Sequence, residues 1–155
     1  MTGTYATLLA AVDLNGIYRS DDAGRTWAWS GIGLGTALPQ AIAADPANDE
    51  RFYAISTTQV FSSSDRGRPW AVFGTGQDFR TPFVFDATGN LSFPKLAVLP
   101  GSPAILLVGA GPYLQRSADG GTTWSRVYSA GGTETGWSLA VDPADPRRVW
   151  AGLFT

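Results

Sequence analysis

Ser20-Asp21-Asp22-Ala23-Gly24-Arg25-Thr26-Trp27 returns as Ser63-Ser64-Asp65-Arg66-Gly67-Arg68-Pro69-Trp70, and again as Ser117-Ala118-Asp119-Gly120-Gly121-Thr122-Thr123-Trp124. One eight-residue match is weak. Three, each followed by a β-rich run, define a repeat protein. A second phrase keeps step with the first: Ile42-Ala43-Ala44-Asp45-Pro46, Leu96-Ala97-Val98-Leu99-Pro100 and Leu139-Ala140-Val141-Asp142-Pro143. From Pro46 to Trp70 and from Pro100 to Trp124 is 24 residues, and from box tryptophan to next proline is 19, 30 and 19. The unit is therefore 43 residues, with an 11-residue insertion between Trp70 and Pro100. A further 24-residue step from Pro143 would pass Thr155, so the expectation is a segment of a longer protein whose fourth repeat is cut.

Each unit resolves into short runs between Gly, Pro and Asp turns. The runs are Thr7–Val12, Gly16–Ser20 and Thr26–Ser30; Gln40–Ala44, Arg51–Ile55, Val60–Ser63 and Trp70–Phe73; Lys95–Leu99, Ile105–Gly109, Tyr113–Arg116 and Thr123–Tyr128; then Trp137–Val141 and Val149–Leu153. No window has helical periodicity. Four strands per repeat, A innermost to D outermost, make the blade of a β-propeller. The fold expected is all-β, a partial propeller of about three four-stranded blades. Residues 1–30 supply strands B–D of one blade, 31–74 a second, 75–129 a third with the insertion, and 130–155 the first two strands of another. Since closed rings need about 4–8 blades, the remaining ones come from a longer chain or from association of copies.

The boxes resemble Asp-box (BNR) repeats, and the Asp-Pro phrase is similar to that of the same propellers. These occur in sialidases, xyloglucanase-type glycoside hydrolases, sortilin-type receptors and photosystem II assembly factors. The resemblance covers nearly the whole chain and implies a fold more than an activity. It also favours a secreted or periplasmic location, although no signal peptide is legible. The longest apolar run near the start, Tyr5 to Val12, is too short to span a membrane.

Box chemistry is mostly local. Gly24, Gly67 and Gly121 suit the left-handed residue of a tight hairpin. The side chains of Ser20, Asp22, Ser63, Asp65, Ser117 and Asp119 can bond turn N–H groups, and Thr26 and Thr123 follow in the same turns. Trp27, Trp70 and Trp124 open strand D. Pro69 stands where the other boxes have Thr, so the second box is expected at a looser or edge position.

Composition narrows the function. Apolar residues are 44% and charged residues 15%, with a net charge of −2 and no basic stripe, which argues against nucleic acid. No Cys and no His are present, which removes thiol nucleophiles, His bases and the usual zinc sites. No metal or cofactor is implied, beyond weak Ca²⁺ at carboxylate-rich turns. Asn90-Leu91-Ser92 fits a glycosylation sequon.

Ligand contacts are expected on the face opposite the boxes, where the B–C turns and D–A connections lie. That face takes Asn15 in the turn Asp13–Gly16, and Asp78, Arg80 and Asp86 among the phenylalanines of the insertion. A glycan or protein ligand on a binding or scaffolding platform is the leading expectation. Ala10-Ala11-Val12-Asp13-Leu14-Asn15-Gly16-Ile17-Tyr18-Arg19 is also similar to a xyloglucanase-family segment. That resemblance implies Asp13 as the general base of an inverting hydrolase, whose acid partner would stand roughly 6.5–9.5 Å away. No second motif supplies that acid. Phe79-Arg80-Thr81-Pro82 resembles the sialidase motif whose Arg grips a carboxylate, a third possibility.

Overall fold

The computed structural model describes residues 6–12, 15–75, 93–130 and 136–154. Asp13, Asp78, Arg80 and Asp86 lie outside them. All the described secondary structure is β. The first sheet holds β1 (Leu8–Val12), β2 (Gly16–Ser20) and β3 (Ala28–Trp29). The second runs β4 (Ala41–Asp45), β5 (Asn48–Ile55), β6 (Gln59–Ser63), β7 (Ala71–Thr75), and the third β8 (Lys95–Leu99), β9 (Ile105–Ala110), β10 (Tyr113–Ser117), β11 (Ser125–Ser129). A last pair joins β12 (Gly136–Val141) to β13 (Val149–Phe154). Every pairing is antiparallel between sequence neighbours. The strands β4, β8 and β12 lie side by side, so successive sheets fan out from a common inner edge. This is an all-β partial propeller.

Two differences from the expected strands have local causes. The outer strands begin late because the residues ahead of them spend their N–H groups elsewhere. Thr26 and Thr123 donate to Asp22 and Asp119 inside the turns, and Trp70 donates to the Ile32 carbonyl of the preceding sheet's exit loop. An amide already bonded cannot join the ladder. Conversely, β5 begins at Asn48 rather than Arg51. The Asp45 carboxylate accepts the Ala47 N–H at 2.9 Å, an Asx turn tight enough to bring Asn48 opposite Asp45 at once.

Strand alternation sends the two faces of each sheet into different cores. On β5, Tyr53 and Ile55 join Val60, Val98, Leu106 and Val108 between the second and third sheets. Ala54 joins Ile17, Leu34, Phe61 and Trp70 between the first and second. A middle sheet buried on both faces needs nearly continuous apolar strands, which Phe52-Tyr53-Ala54-Ile55 supplies. Burial of a side chain such as Phe61 or Leu106 stabilises the fold by roughly 1.5–3 kcal/mol. Trp137 carries packing onward to β12. Its ring lies against Gly109, meets Tyr128 edge-on at 6.0 Å, and donates Nε1–H to the Gly111 carbonyl at 2.7 Å.

Candidate binding groove beside Trp29

Antiparallel order puts the three Ser-x-Asp-x-Gly boxes at one end of the blades and the β1–β2, β5–β6 and β9–β10 turns at the other. At the box end the first and third turns are closed by the same bonds. Ser20 Oγ accepts the Gly24 N–H at 2.8 Å and donates to Asp22 Oδ1 at 2.8 Å. Asp22 then accepts the Thr26 N–H at 2.8 Å and the Thr26 hydroxyl at 2.6 Å. Ser117, Asp119, Gly121 and Thr123 repeat this within 0.1 Å. Gly24, Gly67 and Gly121 all have left-handed φ, at 88°, 85° and 105°. The indoles of Trp27 and Trp124 fold back onto their own turns, to the Gly24 and Gly121 carbonyls.

These bonds hold the Asp22 and Asp119 carboxyls down at a pKa of about 2, through the threonine hydroxyl first, then its N–H, then the serine hydroxyl. A general acid needs the opposite shift. Both carboxylates are structural acceptors. Because their folded pKa lies below the usual 3.8, the stability they contribute is present above about pH 4 and is lost as pH falls towards 2. Urea unfolding across that range should show a shallower pH dependence for the double variant Asp22→Asn, Asp119→Asn than for the parent chain. An unchanged slope would refute this role.

The second box departs from the expected looser setting. Pro69 has neither N–H nor hydroxyl to offer Asp65, and the indole of Trp70 leaves its own turn. Trp70 Nε1–H donates to the Ser30 carbonyl at 2.9 Å, and the Ser30 hydroxyl donates to the Gly67 carbonyl at 2.6 Å. Trp70 is 3% exposed, against 44% for Trp27. The box with fewest internal bonds is thus the one most deeply docked, because its tryptophan is free to span two blades. Charge supports the same seam. Arg19 is buried, bonds Asp21 Oδ1 through Nε at 2.8 Å and reaches the Arg66 carbonyl, while Arg68 returns from the second box to Asp21.

The surface suited to a ligand adjoins this seam. Trp29 closes the two-residue β3 and is 57% exposed. Its ring lies against the backbone of Gly31, where a Cβ would come within 2.6 Å of it, and its Nε1 is 3.6 Å from the Cβ position of Gly16. The ring thus lies close over glycine backbone while more than half of the residue stays exposed to water. A groove of about 460 Å³ runs past it between Ile32, Ser30, Gly67, Arg68 and Pro69. Towards the turn end the same ring walls a smaller cleft of about 130 Å³ with Asn15, Gly16 and residues 34–38. Asn15 is exposed there, with its N–H on the Val12 carbonyl at 3.0 Å.

Of the residues expected at a ligand site, Asn15 is the one within the described part of the chain, and it shares a cleft with Trp29. The reading by repeats passed over Trp29, Ile32 and Gly31. A legible signal was the Trp-Ser-Gly step after the first box, a large ring followed two residues later by a residue with no side chain to obstruct it. Among the described residues no group of three carboxylates converges as a metal site would require.

Fold and surface together define a propeller segment with a rim groove. No family profile and no curated protein matches the sequence. Solved structures do match. An ancestral GH74 enzyme superposes with a TM-score of 0.65 over 96% of this chain and 20% of its own, at 16% identity. The GH74 xyloglucanase from Xanthomonas campestris gives a TM-score of 0.56 over 96% of this chain and 25% of its own, at 21% identity. YCF48, solved bound to D1 peptide, gives 0.50 over 87% of this chain and 39% of its own, at 13% identity. At these identities the likeness is one of fold. The chain spans between about a fifth and two fifths of the structures it matches.

Proposed function

We propose that this chain is a ligand-binding segment of an Asp-box propeller, and that it takes a glycan in the groove beside Trp29. The observation that carries the reading is an indole laid close over the Gly31 backbone yet 57% exposed, at the shared wall of two clefts. A pyranose ring has an apolar C–H face to lay on such a ring and hydroxyls for polar neighbours. Asn15 and Arg68 line these clefts. A groove of about 460 Å³ lies in the range of small-ligand sites, roughly 300–1,000 Å³.

A neutral xyloglucan or β-glucan oligosaccharide titrated by calorimetry tests this. A sugar covering about 60 Å² of the indole, at roughly 25 cal/mol per Å², contributes about 1.5 kcal/mol, and 1.4 kcal/mol is tenfold in affinity. Trp29→Ala should weaken binding by about tenfold, while Trp124→Ala, at a box turn of the third sheet, should leave it unchanged. Equal affinity of the Trp29→Ala variant would reject the site.

A second reading draws support from the likeness to GH74 enzymes and from the segment around Asp13: a fragment of a polysaccharide-degrading hydrolase, with Asp13 as base. Hydrolysis needs two carboxyls in opposite protonation states, and Asp22 and Asp119 are held ionised. On the binding reading the chain should bind oligosaccharide without releasing reducing ends. Release that disappears in Asp13→Asn would establish the hydrolase instead.

A further inference from the structure

The groove beside Trp29 has unlike walls. One comes from the exit of the first sheet and carries Trp29 and Ile32, the latter 67% exposed. The other comes from the second box and carries Gly67, Arg68 and Pro69. Two bonds across the seam fix the walls against each other. The Ser30 hydroxyl donates to the Gly67 carbonyl at 2.6 Å, and the Trp70 N–H donates to the Ile32 carbonyl at 2.8 Å. Among the described residues that line the groove, Arg68 alone is charged. Its guanidinium is anchored but not consumed. Nη2 donates to Asp21 Oδ2, while Asp21 Oδ1 takes the Nε–H of the buried Arg19 at 2.8 Å. Among the described residues Asp21 is the one side-chain partner of Arg68, whose side chain stays 56% exposed.

A guanidinium presents five N–H groups in a fixed fork, with two paired edges: Nε with Nη2, and Nη1 with Nη2. Whichever Nη2 proton Asp21 takes, the other edge keeps both of its protons. Two guanidiniums on one carboxylate also leave the cluster of Arg19, Asp21 and Arg68 with one positive charge in excess. We propose that the sugar taken by this groove is a uronate, with its ring on Trp29 and its carboxylate on the open edge of Arg68. The inference rests on the glycan reading of the groove and adds the charge of the ligand. A uronic acid has an apolar C–H face and carries its carboxylate at the ring edge, on C5. Its two coplanar oxygens match two parallel N–H groups. A sulfate ester has three terminal oxygens, and among the described residues no second cation lines the groove to take the third. Asp21 holds Arg68 in place before the ligand arrives, which reduces the cost of ordering a long side chain on binding.

Calorimetry with a neutral β-glucan tetrasaccharide, and with its counterparts that each have one glucose replaced by glucuronate, tests this. The best-bound uronate should exceed the neutral sugar by about fivefold at low salt, more than a fully exposed ion pair gives and less than a buried one. High salt should shrink that ratio. Arg68→Gln should bring the ratio to about one. Arg68→Lys keeps the charge without the paired edge, and the ratio should fall to about twofold. Trp29→Ala should weaken both sugars and preserve the ratio. Equal affinities in the parent chain, or a preference that survives Arg68→Gln, would overturn the uronate assignment, and neutral binding that still depends on Trp29 would leave the glycan reading standing. A larger gain from a 6-sulfate ester than from the uronate would overturn it in favour of a sulfated sugar. Binding of neither sugar, or binding of both that ignores Trp29→Ala, would reject the glycan reading and the uronate assignment together.

Discussion

Gly33→Ala should destabilise the chain by about 3–5 kcal/mol, a substantial share of the 5–15 kcal/mol that holds a typical domain together. Gly33 has φ of +94°, and a Cβ there would sit 1.8 Å from the carbonyl oxygen of Trp70. Two costs combine. A side chain at that φ is strained by roughly 1–3 kcal/mol. The backbone of Trp70 must also retreat, and its N–H donates to the Ile32 carbonyl one residue before Gly33. Gly35 is the matched control. Its φ is +60°, and nothing lies within 4 Å of its Cβ position, so Gly35→Ala should cost about 1–2 kcal/mol of backbone strain alone. For a chain of this size each kcal/mol moves the melting temperature by about 2–4 °C, so thermal unfolding separates the two variants. Melting temperatures that agree within experimental error would mean that the approach of this loop to Trp70 does not matter to stability.

Trp70→Ala is the second large effect expected, about 3–5 kcal/mol by urea unfolding. The substitution empties a site buried between the first two sheets and leaves the Ser30 carbonyl without its indole donor. Trp27→Ala removes the same residue type from the same place in a box, but a ring 44% exposed has less burial to lose. Its cost should stay below about 1.5 kcal/mol. Trp70→Phe should fall between the two, since it keeps most of the apolar volume and forfeits the hydrogen bond, worth about 0.5–1.5 kcal/mol net. Equal losses for Trp27→Ala and Trp70→Ala would contradict the docking of the second box across the seam.

Much of the architecture was legible in the chain because its determinants are short-range. The spacing of Asp-Pro phrases and tryptophans gave the repeat, and apolar runs between turn residues gave thirteen strands close to those observed. Strand ends were less legible. Whether Thr26 joins a ladder depends on a bond to Asp22 inside its turn, and whether Trp70 does depends on Ile32 of another blade. The groove was less legible still. Asn15 was singled out from its turn, but Trp29 reads in sequence as one more strand aromatic, and its exposure depends on how β3, Gly31 and the second box meet.

The sequence by itself determined the all-β repeat and the closure of the first and third boxes, because Ser20, Asp22, Gly24 and Thr26, like Ser117, Asp119, Gly121 and Thr123, find their partners within four residues. Tertiary structure alone decided that Trp70 crosses to Ser30, that Gly33 lies against Trp70 and that the ring of Trp29 stays open. The physical reason is range. A turn's bonds are settled by residues that chain connectivity already holds together, whereas burial between blades depends on groups some 40 residues apart, whose meeting no local pattern encodes.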